Sequence, residues 1–145
     1  MSDVSVLSHE YQTASELSQT INRALITLKK ARLHLPTSEE LTPEQIRKSQ
    51  RCLVEVLAAL SGLLAPDKVN ERDASAVQIP GSLVARLRQE RRGDLEYFLQ
   101  DLNRTVERLG SGLPDLTDQD IGLLDHLAAA ADAETSSVFR RLMRT

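Results

Sequence analysis

From Leu7 to Leu35 an apolar or small side chain returns at every seventh position: Leu7, Ala14, Ile21, Leu28 and Leu35. Leu17, Ala24 and Ala31 supply the intervening step of three. Steps of three and four gather these residues on one face of an α-helix, so the segment must be a helix that buries a narrow seam. Tyr11 and Leu25 widen the seam toward a bundle face, and Pro36 ends it.

Three further helices follow from the same periodicity. In Leu41-Thr42-Pro43-Glu44-Gln45-Ile46, Thr42 is placed to cap, Pro43 suits the first helical position, Gln45 completes a capping box, and Leu41 with Ile46 forms a hydrophobic staple. Ile46, Leu53, Leu57, Leu60 and Leu64 then hold the frame until Pro66. After Pro80-Gly81-Ser82, the positions Val84, Leu87, Arg91, Leu95, Phe98, Leu102, Val106 and Leu109 advance by three or four, and Gly110-Ser111-Gly112 closes the helix. The phase passes through Gly93 unbroken. It predicts one long helix in which Arg92-Gly93-Asp94 is an exposed helical turn, with a glycine that costs about 1 kcal/mol. A kink at which Asp94 starts a new helix is the rival. The Arg-Gly-Asp tripeptide is also an adhesion signal, but that use needs an exposed extracellular loop, and neither condition is expected here.

Leu116-Thr117-Asp118-Gln119-Asp120-Ile121 repeats the start device, with a Thr cap and an acidic first turn. Ile121, Leu124, Ala128, Ala131, Val138 and Leu142 continue at helical spacing, and the small run Ala128 to Ala131 permits a neighbouring helix to approach closely. Continuity through Glu134-Thr135-Ser136-Ser137 is open, because Thr135 or Ser136 can cap a separate short helix.

Aromatic residues are only 3% of the chain and Trp is absent, so the core is left to Leu, Val, Ile and Ala, which suits helix-on-helix packing. The expected fold class is all-α: an antiparallel, up-down-up-down four-helix bundle of long helices, with a short fifth helix at the C-terminus as the open variant. Residues 1–145 read as a single domain with a flexible N-terminus over 1–7 and a long connection over 66–81. Such a connection exceeds the usual loop between bundle helices, and Val77 or Ile79 is expected to tuck back onto the bundle.

Several chemistries lack the residues they need. Cys52 is the only cysteine, so no internal disulfide forms. The first thirty residues lack the apolar run of a signal peptide, and no stretch reaches the roughly 20 apolar residues of a membrane span. A cytoplasmic setting without membrane contact is expected. None of His9, His34 and His126 has a Glu three residues before it, which argues against a carboxylate-histidine metal site. Cys52 adjoins an apolar run without a base, and Gly110-Ser111-Gly112-Leu113-Pro114 lacks the lysine of a phosphate loop. The acidic groups Glu39-Glu40 and Asp115, Asp118, Asp120 sit at helix starts, where the helix dipole accounts for them. No enzyme, metal, cofactor or small-molecule substrate is therefore expected.

Charge placement remains. The net charge is −3, which suits no general polyanion binder. Arginine outnumbers lysine 14 to 4, as a GC-rich genome would produce. Arg86, Arg88, Arg91 and Arg92 crowd the start of the third helix, and Arg140, Arg141 and Arg144 crowd the chain's end. An up-down bundle would bring both groups to one end. The opposite end collects Lys29, Lys30, Arg32, Arg47, Lys48 and Arg51, with Asp115, Asp118, Asp120, Glu39 and Glu40 near enough to neutralise much of that set. The first function expected is a non-enzymatic module that binds another protein or itself, as adaptor, regulator or small subunit, because a heptad seam can pair with a helix of a second chain. The second is a nucleic-acid-contacting subunit that clamps phosphates with the seven arginines. Tyr97 and Phe139 are the aromatic side chains expected to be exposed, too few for base stacking along a single strand.

Overall fold

The computed structural model describes residues 4–33, 41–65 and 77–144. Among them every regular element is helical: α1 Val4–Leu33, α2 Pro43–Leu64, α3 Gly81–Glu90, α4 Leu95–Ser111, a 3-10 turn Leu113–Asp115, and α5 Asp118–Met143. No helix of the described residues is long and apolar enough to cross a membrane.

The heptad seam of α1 is the core. Ala14, Leu17, Ile21, Ala24, Leu25 and Leu28 are buried, and those from Leu17 onward meet Leu53, Val56, Leu57 and Leu60 of α2 in one apolar cluster with Phe98 and Leu102 of α4 and Leu124 and Leu127 of α5. Val77 and Ile79 pack against this cluster as expected. Residues 34–40 and 66–76 lie outside the described residues, and with them His34, Leu35, Pro36, Glu39, Glu40 and most of the expected connection.

Both capping boxes form. The Gln45 amide donates to Thr42 Oγ1 at 3.1 Å and the Thr42 amide to Gln45 Oε1 at 2.9 Å. Thr117 and Asp120 repeat the exchange at the start of α5, at 3.1 and 2.9 Å. Each pair satisfies amides that a helix start leaves without partners.

The expectation of one continuous third helix is overturned. Residues 91–94 form a turn that separates α3 from α4. Arg91 holds a core position in the apolar stripe, but a guanidinium cannot be buried there without a partner. It closes α3 at φ −110°, ψ 20°, lies 4.6 Å over the Phe98 ring and pairs with Asp94 at 3.5 Å. Asp94 takes the first position before α4, yet its side chain caps no amide because it answers Arg91 instead. The point left open at the C-terminus is decided. α5 runs unbroken to Met143, so no separate C-terminal helix exists; the Thr135 hydroxyl donates to the Ala131 carbonyl at 2.8 Å, an in-helix bond rather than a cap. Of the segment 1–7, residues 1–3 lie outside the described residues and α1 begins at Val4.

α1 packs mainly on α5 and α2, α4 on α2, and α3 on α5. Contacts across α1 and α5 pair rising with falling residue numbers: Glu10 with Arg141, Ser18 with Asp132, Lys29 with Asp125, Arg32 with Asp118. The two helices therefore run in opposite directions. The same holds for α2 with α4, through Gln50 to Leu109 and Ser61 to Asn103, and for α3 with α5, through Arg86 to Glu134 and Glu90 to His126.

Candidate protein-interaction surface

The outer edge of the α1–α5 contact is a ladder. Asp118, Asp125 and Asp132 recur every seven residues along α5 and present one carboxylate per two turns toward α1. Arg32 Nη2 meets Asp118 Oδ1 at 2.8 Å and Lys29 Nζ meets Asp125 Oδ1 at 2.7 Å. At the third level Asp132 Oδ1 accepts from the Ser18 hydroxyl and from Asn22 Nδ2, the latter at 3.2 Å. Burial along the ladder rises from the Asp118 carboxylate, almost fully exposed, through the half-exposed Lys29–Asp125 pair to the buried Ser18 hydroxyl, so the two ion pairs form with little desolvation.

At the fourth level the pattern changes. The position seven after Asp132 is Phe139, whose ring lies 5.6 Å from that of Tyr11, tilted at 49°. Phe139 remains 45% exposed, and Met143, one turn further on the same face, 67%. A recess of about 340 Å³ opens between Tyr11, Thr135, Ser136, Phe139 and Arg140. Ser136 and Arg140 of its lining continue to Arg144 as an exposed stripe, each one turn from the next. A polar seal thus gives way to an open aromatic pair with an arginine flank.

Beneath this end lies Glu134, 5% exposed. Its Oε1 accepts from Arg86 Nε at 2.9 Å, and its Oε2 lies 3.6 Å from Arg141 Nη2. Arg141 Nη2 is also 3.9 Å from Glu10 Oε1. A carboxylate this buried requires charged partners, and the two guanidiniums supply them.

The seven candidate arginines are therefore distributed among different tasks. Arg86 and Arg141 share Glu134. Arg88 Nη2 donates to the Leu63 carbonyl at 2.7 Å, satisfying the last turn of α2. Arg91 pairs with Asp94 and Phe98. Arg92, Arg140 and Arg144 are exposed and have no ion-pair partner among the described residues. Glu90, beside Arg91, has its Oε1 3.3 Å from Nε2 of His126, which precedes Arg144 by 18 residues, a rise of ~27 Å along α5. Arg91 and Arg92 thus stand apart from Arg140 and Arg144, while Arg86 joins Arg141.

Elsewhere the polar groups serve structure. Asp120, 3% exposed, accepts from Thr105 Oγ1 at 2.7 Å, from Arg108 Nη1 at 3.1 Å to each oxygen, and from the Thr117 amide at 2.9 Å. Burial alone would raise its pKa, but the bonds from Thr117, Thr105 and Arg108 outweigh that and hold the carboxyl below its usual value. Cys52 is half-buried; burial and the nearby Glu55 raise its thiol pKa against the opposing pull of Arg23 and Lys48, which leaves it a poor nucleophile. Two open recesses of about 440 and 500 Å³ share Thr13 and Gln78 where residues 77–82 approach α1. No three His, Cys, Asp or Glu side chains group closely enough to hold a metal ion among the described residues.

Two features of this surface were missed in the sequence. Glu134 fills the gap that the apolar stripe of α5 leaves between Ala131 and Val138, three residues after the one and four before the other, and nothing in spacing alone distinguishes a buried carboxylate from a solvated one. The acidic heptad Asp118, Asp125, Asp132, broken at Phe139, is a visible signal that a search restricted to apolar periodicity passes over. No protein-family model, curated protein or solved structure matches this chain.

Proposed function

We propose that the chain is a non-enzymatic helical interaction module, acting as adaptor, regulator or small subunit of a larger cytoplasmic assembly. Its frame is read as an antiparallel four-rod bundle in which α3 and α4 together take the third place. It binds another protein through the end of the α1–α5 face marked by Tyr11, Phe139 and Met143. The carrying observation is the change along one ladder from three sealed polar levels to an aromatic pair left 45% exposed at Phe139 beside an open recess. A phenylalanine of roughly 200 Å² that is nearly half exposed leaves ~90 Å² of apolar surface, worth ~2 kcal/mol if a partner covered it. That is the size of an interface hot spot.

The phosphate-clamping alternative has less support. Four of its seven arginines already hold a carboxylate, a carbonyl or an aromatic ring within the chain, and those that remain are divided between two places.

The test compares the full chain with Phe139→Ser in affinity capture from the native cell. The expected result is a protein partner held by the parent chain and lost by the variant, with helicity unchanged and the thermal midpoint lowered by only several degrees as the ring's packing on Tyr11 is lost. The proposal fails if both chains capture the same set, or if only nucleic acid is retained, released as salt rises.

A further inference from the structure

We infer that the occupant of this end is an acidic amphipathic helix of a different protein, with an apolar anchor in the Tyr11–Phe139 recess and carboxylates on Arg140 and Arg144. This rests on the interaction-module reading and adds the chemistry of the partner. The two arginines stand one turn apart on the exposed side of α5, immediately beside Phe139 and Met143. A helix that lays an apolar side chain into the recess can present acidic residues at the same one-turn spacing, and guanidinium-carboxylate pairs fix its register.

Charge decides between this occupant and a second copy. Of the carboxylates that enter the contacts at this end, Glu134 is answered by Arg86 and Arg141, while Glu10 Oε1 has only the shared Arg141 guanidinium, 3.9 Å away, and accepts no hydrogen bond. Arg140 and Arg144 have no such answer among the described residues, which therefore leave the exposed rim positive on their side. A two-fold dimer through this surface would set the arginines of one copy against those of the other. An acidic partner removes that repulsion. Apolar area decides against a lipid surface. The open recess of about 340 Å³ bears only Tyr11 and Phe139 as large apolar side chains, too few for the continuous apolar face with which a helix enters a bilayer.

Short synthetic amphipathic peptides with Leu or Phe anchors test the inference. They carry Glu, Gln or Lys at one-turn spacing and are titrated onto the full chain by fluorescence anisotropy. The Glu peptides should bind, with affinity falling about tenfold or more when Gln replaces Glu. Phe139→Ser should abolish binding, and the double variant Arg140→Glu, Arg144→Glu, altering exposed side chains only, should switch preference to the Lys peptides. If Phe139→Ser removes binding but the Glu content and the charge reversal change nothing, the acidic occupant is wrong while the docking surface stands. A dimer in sedimentation that Phe139→Ser dissolves would make the occupant a second copy. Binding to phosphatidylserine vesicles or to single-stranded DNA in place of the peptides would likewise overturn it. If none of these ligands binds and Phe139→Ser has no effect on any measurement, the surface itself is not a docking site and both readings fall.

Discussion

Replacing Asp120 with Ala should be among the most damaging single changes to this fold. The carboxylate joins three tasks in one group. It caps the first turn of α5 through the Thr117 amide at 2.9 Å, accepts from Thr105 of α4 at 2.7 Å, and holds Arg108 of α4 with both oxygens at 3.1 Å. Loss of a cap costs about 1 kcal/mol. The Thr105 hydroxyl, on a residue 1% exposed, would be left in the interior without its acceptor, at a further ~1–3 kcal/mol. Arg108 is 32% exposed and can turn to water, so its release adds little. The expected total is about 2–4 kcal/mol, because bonds to one group do not add independently. For a chain of this length that lowers the thermal midpoint by ~10 °C.

The sign of the pH dependence follows from the same bonds. The folded pKa of Asp120 lies below its unfolded value of about 3.9. Its stabilising contribution is fully present above that unfolded value and is lost as pH falls through the folded one. Urea midpoints measured from neutrality down into the acid range should therefore fall for the parent chain, and Asp120→Asn should start lower and fall less. The slope m should be unchanged at neutral pH. A variant within ~0.5 kcal/mol of the parent, the scatter of ordinary surface changes, would refute this account of the α4–α5 corner.

Other outcomes follow from single sites. Gly93→Ala should stabilise the chain by about 0.4–1 kcal/mol in chemical denaturation, since the added methyl meets nothing within 4 Å and the backbone is not left-handed. Gly112→Ala should destabilise by ~1–2 kcal/mol in the same assay, because φ there is 137° and an L side chain is strained at that angle. Glu134→Ala should cost about 1–3 kcal/mol, limited by the access of Arg86 and Arg141 to water, and a thermal melt reads it. Cys52 should react with a disulfide reagent at neutral pH more slowly in the native chain than in denaturant, where burial no longer raises its pKa.

How far the spacing of residues reaches is clearest at α1 and α2. Their seams and the Thr42 box are local patterns, each fixed by side chains within two turns of one another, and the structure places them as the spacing requires. The ladder on α5 was equally local in its acids, but its meaning depended on Lys29, Arg32, Ser18 and Asn22 being opposite, a long-range pairing that no single helix records. The same limit hid Glu134, whose burial depends on Arg86 approaching from α3.

The break between α3 and α4 shows why a preserved apolar phase does not prove a continuous helix. Residues 91–94 are four in number, close to the 3.6 of one helical repeat, so a turn of that length carries the stripe from Leu87 to Phe98 almost in register while the hydrogen-bond ladder is cut. Both flanks still face the core, with Leu87 and Phe98 buried. The local signs of the break were a polar residue in the apolar stripe at Arg91, a glycine two positions on, and an acid at Asp94 able to receive the arginine. Once the core position is given to a guanidinium, ending the helix lets it find a carboxylate and a ring face, whereas continuing would bury it unpaired. Arg91→Leu should favour fusion of α3 and α4 into one rod, seen as added amide protection over residues 91–94 in hydrogen exchange. If protection there does not rise, the arginine is not what ends α3.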